Sequence, residues 1–377
     1  MSRRAAEDGA ADGTAAGAGR ADAGTADTGT ADTGTVDRVG AADVAGTADR
    51  AGRVRLTGLV RLAAVAVAGL LLGSAALPAG SAGPTADRMP EQVTLNAKPA
   101  LAPAAVAGCT DGPDGGSSVV SLTPSTDDSG PDVQRIIKRG KLIAGIDTNS
   151  YLWGFRDPAS GNLEGFDIDL VHALAQSILG NADAVEFLSV PTADRITALQ
   201  SGEVDVVVRT MTISCAREQQ VSFSSPYYLA GQEVLVPKSS SITGYNSTLA
   251  GKKVCAATGS TAVDNFLDQD KKGSSVVQVE NQLDCLVLMQ LGLVDATITD
   301  NALGAGQAAQ DPTIHLVGGL MDKEYYGVAM KLGADDLVRR VNAVLQTYLA
   351  TQWNAEYNEW LKPVGPNPGP PPVTYSG

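Results

Sequence analysis

Arg217 and Asp300 each follow a run of β-branched residues, VDVVVRT at 204–210 and VDATITD at 294–300, and each stands at the start of a helical stretch. After the first run comes TMTISCAREQQVSFSSPYY, in which Ser214 can cap a helix and Arg217 falls in its first turn. A helix start offers unpaired N–H groups and the positive end of a dipole, and a guanidinium grips two oxygens side by side, so this pair suits a carboxylate. An ion pair of Arg217 with Glu218 or another surface acid is the competing reading. Asp300, in ITDNAL, can accept from an ammonium group or simply cap the following helix. A third element, ATGSTA at 257–262, is a small-residue turn whose amides at Gly259, Ser260 and Thr261 can meet an anion. His172 and His315 have no neighbouring ligand set, so no metal is expected, and no cofactor motif is present.

Ligands of open α/β sheets sit beyond the carboxyl ends of the strands, so the elements around these residues matter. KLIAGID (141–147) reads as a strand, GFDIDLVHALAQSIL (165–179) as a helix, AVEFLSV (184–190) as a strand and TADRITALQSG (192–202) as a helix that stops at glycine, before the strand VDVVVRT. The same order restarts with GKKVCAA (251–257), STAVDNFLDQD, VVQVE, NQLDCLVLMQLG and VDATITD. Such alternation implies two α/β units with mostly parallel sheets and right-handed crossovers. EVLVPK (233–238) and YYGVAMK (325–331) read as strands that carry the chain across and back, a two-strand hinge. One long helix over 335–361, with core-spaced Leu337, Val341, Val344, Leu345, Tyr348 and Leu349, returns to the first unit. The expected division is 133–231 plus 325–362 for lobe 1, 232–324 for lobe 2, and an extended Pro-rich tail from 363 to 377. Arg195, inside a helix, is expected to brace its lobe through an ion pair.

Of the 377 residues 44% are hydrophobic, but Met1 to Ala51 hold almost no bulky apolar side chain and are expected to be disordered. The uncharged apolar run from Leu62 to Leu77 follows Arg50, Arg53, Arg55 and Arg61, the pattern of an export signal or a retained anchor, spanning 62–82 with its small-residue AGSAG. Residues 83–132 then read as a flexible tether. A net charge of -14 without a basic stripe argues against a nucleic-acid partner. Four cysteines fit an exported chain. Pairing Cys255 with Cys285 closes a loop worth about 3 kcal/mol of chain entropy. That leaves Cys109 and Cys215 as the second pair, with a lipobox-like VAGC at Cys109 as the rival reading.

The motifs GKLIAGID, LEGFDIDLVHALA, DRITALQSGEVDVVV, TMTISCAREQQVSFSSPYY, LAGKKVCAATGSTA, GLVDATITDNAL and EYYGVAMK, in this order between Lys138 and Leu361, resemble the family 3 periplasmic solute-binding proteins of polar amino-acid ABC transporters. The likeness is nearest to actinobacterial glutamate- and aspartate-binding members, which carry KVC and a later cysteine in the same places. The resemblance implies the type II periplasmic-binding-protein fold, two α/β lobes joined by a two-strand hinge, and a monomer that captures a small amino acid outside the membrane. It implies that Arg217 grips the α-carboxylate, that Asp300 takes the α-amino group, that Thr210, Thr212 and Thr261 add amides or hydroxyls, and that Tyr151 or Trp153 covers the ligand side chain. Thr210 stands where the family commonly has glycine, and Arg209 where neutral residues are frequent. That extra cation, with Arg156, is expected to meet the second carboxylate of glutamate or aspartate, ahead of glutamine. The partner is an ABC permease or, alternatively, a membrane signalling partner fed by an amino-acid sensor. A remote alternative is an enzyme resembling cyclohexadienyl dehydratase.

Overall fold

A computed structural model describes residues 120–376. The apolar run at 62–77, the start of the tether and Cys109 lie outside the described residues. Among the described residues no helix is long and apolar enough to cross a membrane.

Two five-stranded sheets have the same plan. In the first, β2 (Leu142–Ile146) lies parallel between β6 (Val185–Ser189) and β7 (Val206–Val207), and β14 (Glu324–Lys331) runs antiparallel between β7 and β8 (Val221–Ala230). In the second, β10 (Lys253–Ala257) lies parallel between β11 (Ser275–Val279) and β12 (Ala296–Asp300), followed by antiparallel β9 (Gln232–Pro237) and β13 (Ile314–Val317). Parallel central strands buried on both faces need unbroken apolar runs, which VVV at 206–208 and VCAA at 254–257 supply.

Helices α1 (Pro131–Arg139), α2 (Phe166–Leu179), α3 (Arg195–Ser201), α7 (Asp335–Thr351) and α8 (Trp353–Trp360) belong with the first sheet. The short helix α4 (Cys215–Glu218) leads into β8, while α5 (Gln282–Gln290) and α6 (Asn301–Gln310) belong with the second sheet. A small meander of β3 (Asn149–Ser150), β4 (Gly154–Arg156) and β5 (Leu163–Glu164) follows β2. The single final helix expected over 335–361 is broken at Gln352. There the buried Trp353 turns inward, and its indole N–H donates to the Tyr227 carbonyl at 2.7 Å.

Both ends of the described chain depart from the expected tether and tail. Val120–Leu122 (β1) pairs in parallel with Thr374–Ser376 (β15), and β1 packs on β8. Asn342, fully buried, holds β1 in place: its amide donates to Ser121 Oγ at 2.8 Å and the Leu122 carbonyl at 2.7 Å, and its Oδ1 accepts from the Ser225 N–H at 2.7 Å. These bonds account for order in a segment that composition alone assigns to a linker.

The chain passes between the sheets twice, through Gly231 on the way out and through 318–323 on the return. So the two strands read as crossing each belong to one sheet, and the crossings are the short segments before them. At Gly231 a Cβ would stand 2.2 Å from the Asp322 carbonyl oxygen, so the two crossings touch only because one residue is glycine. Gly231→Ala is therefore expected to push the crossings apart and destabilise the fold by about 1–3 kcal/mol. Denaturant unfolding checks this; an unchanged midpoint would show that the crossings are not in close contact.

Candidate functional site

The carboxyl ends of β2 and β7 in one sheet face those of β10 and β12 in the other, across a cavity lined by Asp147, Thr192, Arg195, Arg209, Thr210, Thr212 and Arg217 on one side and by Gln232, Ser260, Thr261, Gln282, Thr299 and Asp300 on the other.

Three arginines reach this cavity from the first sheet, each at most 6% exposed. Arg217 is placed by α4, whose start is capped by Ser214 Oγ accepting from the Arg217 N–H at 3.4 Å. Its guanidinium donates to the Thr212 carbonyl at 2.8 Å and, across the cleft, to the Gly259 carbonyl at 3.2 Å. Arg195, expected to brace its lobe through an ion pair, instead opens α3 at the cavity wall. It donates to the carbonyls of Thr192 (2.9 Å), Arg209 (3.4 Å) and Gly259 (3.3 Å). Burial, and then the neighbouring Arg217 and Arg209, hold its pKa well below the usual arginine range. Arg209 donates to Thr192 Oγ1 at 2.9 Å and lies 2.9 Å from Asp147 Oδ2. Its charge is thus balanced within the protein, by Asp147 at the end of β2.

Asp147 is in turn fixed by its own turn, with Oδ1 accepting from the N–H groups of Thr148 and Asn149 and Oδ2 from Ser150 Oγ. Sequence reasoning passed over it, although it ends the strand KLIAGID just as Asp300 ends VDATITD.

Thr210 has a left-handed backbone (φ 43°), the conformation in which glycine would be unstrained. Its N–H donates to the buried Asp167 Oδ2 at 3.0 Å, while Tyr227 donates to Oδ1 at 2.8 Å. The Thr210 amide is therefore committed to the protein rather than offered to a ligand. Burial raises Asp167 to about 7, against those two hydrogen bonds.

On the far side Asp300 does not cap α6 with its side chain. Its carboxylate turns back toward the crossing, accepting from the Tyr326 hydroxyl and from Gln232 Nε2. That same Gln232 nitrogen lies 3.0 Å from Glu324 Oε2 and 3.1 Å from Thr261 Oγ1, and Glu324 Oε2 accepts from Thr212 Oγ1 at 2.9 Å. One buried network thus joins Thr212 of the first sheet to Thr261 and Asp300 of the second. Burial, and then the Glu324 carboxyl, raise Asp300 to about 8; the same two causes raise Asp322 to about 7.

In the ATGSTA turn, Gly259 (φ 72°) presents its carbonyl to Arg195 and Arg217, and the Ser260 N–H donates to the Ala257 carbonyl. The Ser260 amide is thus committed within the turn, while Ser260 Oγ has no partner among the described residues. The turn opens a π-helical segment, Ala262–Leu267.

Three expected contacts are not brought here. Arg156 lies in β4 and donates to the Gly161 carbonyl at 2.6 Å on the outer surface. Trp153 is wholly within the core, packed edge-on against Phe166, Tyr228 and Tyr326, its N–H on the Ala302 carbonyl at 3.2 Å. Tyr151 lines a separate surface hollow with Phe155 and Arg156. Cys255 and Cys285 form a disulfide, and Cys215 is also disulfide-bonded. Among the described residues no group of three or more acidic, His or Cys side chains could hold a metal.

The model of the bacterial extracellular solute-binding proteins, family 3, matches residues 142–363. The chain belongs to this family. A relative named ABC transporter glutamine-binding protein GlnH, from Bacillus subtilis, is 36% identical over 223 residues, 59% of this chain and 81% of the relative. One named glutamate-binding protein GluB, from Corynebacterium efficiens, is 28% identical over 243 residues, 61% of this chain and 82% of the relative. Among solved structures, the solute receptor for L-cysteine of Neisseria gonorrhoeae superposes with a TM-score of 0.60 at 26% identity, covering 64% of this chain and 99% of that one. The fold is that of the type II periplasmic binding proteins, and the family member described here is a binding protein and not an enzyme.

The raised carboxyls give this solute-binding protein a defined pH response. A group whose folded pKa exceeds its unfolded value stabilises fully below the unfolded pKa, near 4, and loses that contribution as pH climbs through the folded one. For Asp167, Asp300 and Asp322 that window is pH 4 to 8. The ligand-free protein is expected to melt several degrees higher at pH 5.5 than at pH 8, and Asp300→Asn to flatten that slope. Thermal melts across this range check it; a slope equally steep in Asp300→Asn would clear Asp300 of the effect.

Proposed function

We propose that the cleft captures an acidic amino acid, glutamate or aspartate, between the lobes and delivers it to an ABC transporter. Arg217 takes the α-carboxylate and Asp300 the α-ammonium. Arg209 is balanced by Asp147 at ion-pair distance. The reading is carried by Arg195: it is buried at the cavity wall, it donates to three backbone carbonyls and to no carboxylate among the described residues, and two like charges stand beside it. An anionic side chain supplies the directly bonded counter-charge that these carbonyls do not, adding to the more distant pull of Asp300 and Asp147, whereas a neutral side chain does not. The extra cation expected at Arg209 is thus reassigned to Arg195.

Unpaired buried donors also call for a ligand rich in acceptors, since Arg209 Nε and Gln282 Nε2 have no hydrogen-bond partner among the described residues and both residues line the cavity. Glutamine is the second reading, favoured by the name of the Bacillus subtilis relative. Binding to the α-groups of glutamine would be the same, and only Arg195 distinguishes the two ligands.

Titration calorimetry of the purified protein separates them. Glutamate is expected to bind at least tenfold more tightly than glutamine, a difference of about 1.4 kcal/mol. Arg195→Gln should weaken glutamate by about 2–3 kcal/mol and glutamine by much less, while Arg217→Ala should abolish both. Equal affinities for the two amino acids in the unaltered protein would refute the acidic reading.

A further inference from the structure

Helix α5 begins with Gln282, a residue whose side chain the helix itself does not need. The start of α5 is already satisfied by a reciprocal capping box between Asn281 and Asp284. The Gln282 carbonyl oxygen accepts from Gln307 Nε2 at 3.3 Å, so the backbone at this point is pinned to α6. One turn further on, Cys285 is bonded to Cys255 of β10, with both cysteines fully buried. The beginning of α5 is therefore fixed with respect to the strand that leads into the Gly259–Thr261 turn.

From that rigid position the Gln282 side chain enters the cavity, 6% exposed, and its Nε2 is buried with no hydrogen-bond partner among the described residues. A buried amide N–H left unpaired is costly, and an apolar residue of the same size would avoid the cost. Across the cleft, β3 packs against α5. This is the turn that Asp147 organises, and Asp147 holds Arg209. Gln282 of one lobe and the Asp147–Arg209 pair of the other thus line the same cavity, on elements that pack together.

We infer that Gln282 is a specificity-determining residue, whose amide N–H selects ligands carrying a hydrogen-bond acceptor at the far end of the side chain. The inference rests on an amino acid occupying this cavity with its α-groups on Arg217 and Asp300. It assigns Gln282 a different task from Arg195. Arg195 reads charge, and Gln282 reads the presence of an acceptor, whether carboxylate or carboxamide oxygen.

The test compares L-glutamate, L-glutamine and L-norvaline, which matches glutamate in length to Cδ but ends in a methyl group. Affinities are measured by calorimetry for the unaltered protein and for Gln282→Leu, with Gln282→Met as the second variant should the first fold poorly. Gln282→Leu is expected to weaken glutamate and glutamine alike by 10- to 100-fold and to leave norvaline unchanged or tighter. Its ligand-free melting temperature should not fall, because an unpaired buried amide is exchanged for an apolar side chain. A glutamate-to-norvaline ratio unchanged in both variants overturns the inference. Failure of the unaltered protein to bind any of the three overturns instead the reading of the cavity as an amino-acid site.

Discussion

The cleft depends on a single buried amide. Gln232 sits immediately after the outward crossing, and its Nε2 stands within hydrogen-bonding distance of Asp300, Glu324 and Thr261. Two N–H bonds shared among these acceptors hold two carboxyl groups near each other in a place with little water, which is why burial and mutual repulsion drive Asp300 up to about 8. The ligand's ammonium group would enter where a positive charge is most wanted. The same network reaches Thr212 in the first lobe, so the ammonium site and the junction between lobes are one structure.

The opposite wall follows the reverse logic. Three guanidiniums are crowded together, and Arg209 has the Asp147 carboxylate at ion-pair distance. Arg195 and Arg217 both donate to the carbonyl of Gly259, a residue of the other lobe. Backbone carbonyls are weak counterparts for buried cations, and an incoming anion competes with them directly. A ligand bearing both signs thus answers both walls, and one with a second anion answers the crowded wall more fully.

What was legible in the sequence is what periodicity and strand ends encode. Alternating runs such as KLIAGID and VDATITD give two α/β units, and residues just beyond strand ends give Arg217 and Asp300. Direction of side chains is less legible. Trp153 has the right type and lies near the right strand, yet it points into an aromatic core; Arg195 looks like a helix-surface charge, yet its helix begins at the cleft. Which face of a short helix meets the other lobe is decided by tertiary packing and leaves no local pattern. Asp147 was readable by the rule that found Asp300, whereas Gln282 carries no signal beyond opening a helix after Asn281. The β1–β15 pair eluded composition because its order comes from Asn342, more than two hundred residues from β1.

The crossings at Gly231 and 318–323 have an architectural corollary. All five strands of the second sheet lie in sequence between β8 and β14, and these two neighbours are hydrogen-bonded along the first sheet up to the crossing, Ala230 opposite Glu324. The second lobe therefore leaves and re-enters the first at adjacent points, like a cassette plugged into a two-pin socket. Because Gln282, Ser260 and Thr261 travel with the cassette while Arg195, Arg209 and Arg217 stay with the socket, exchanging it between relatives would recombine half of the ligand's wall without cutting either sheet.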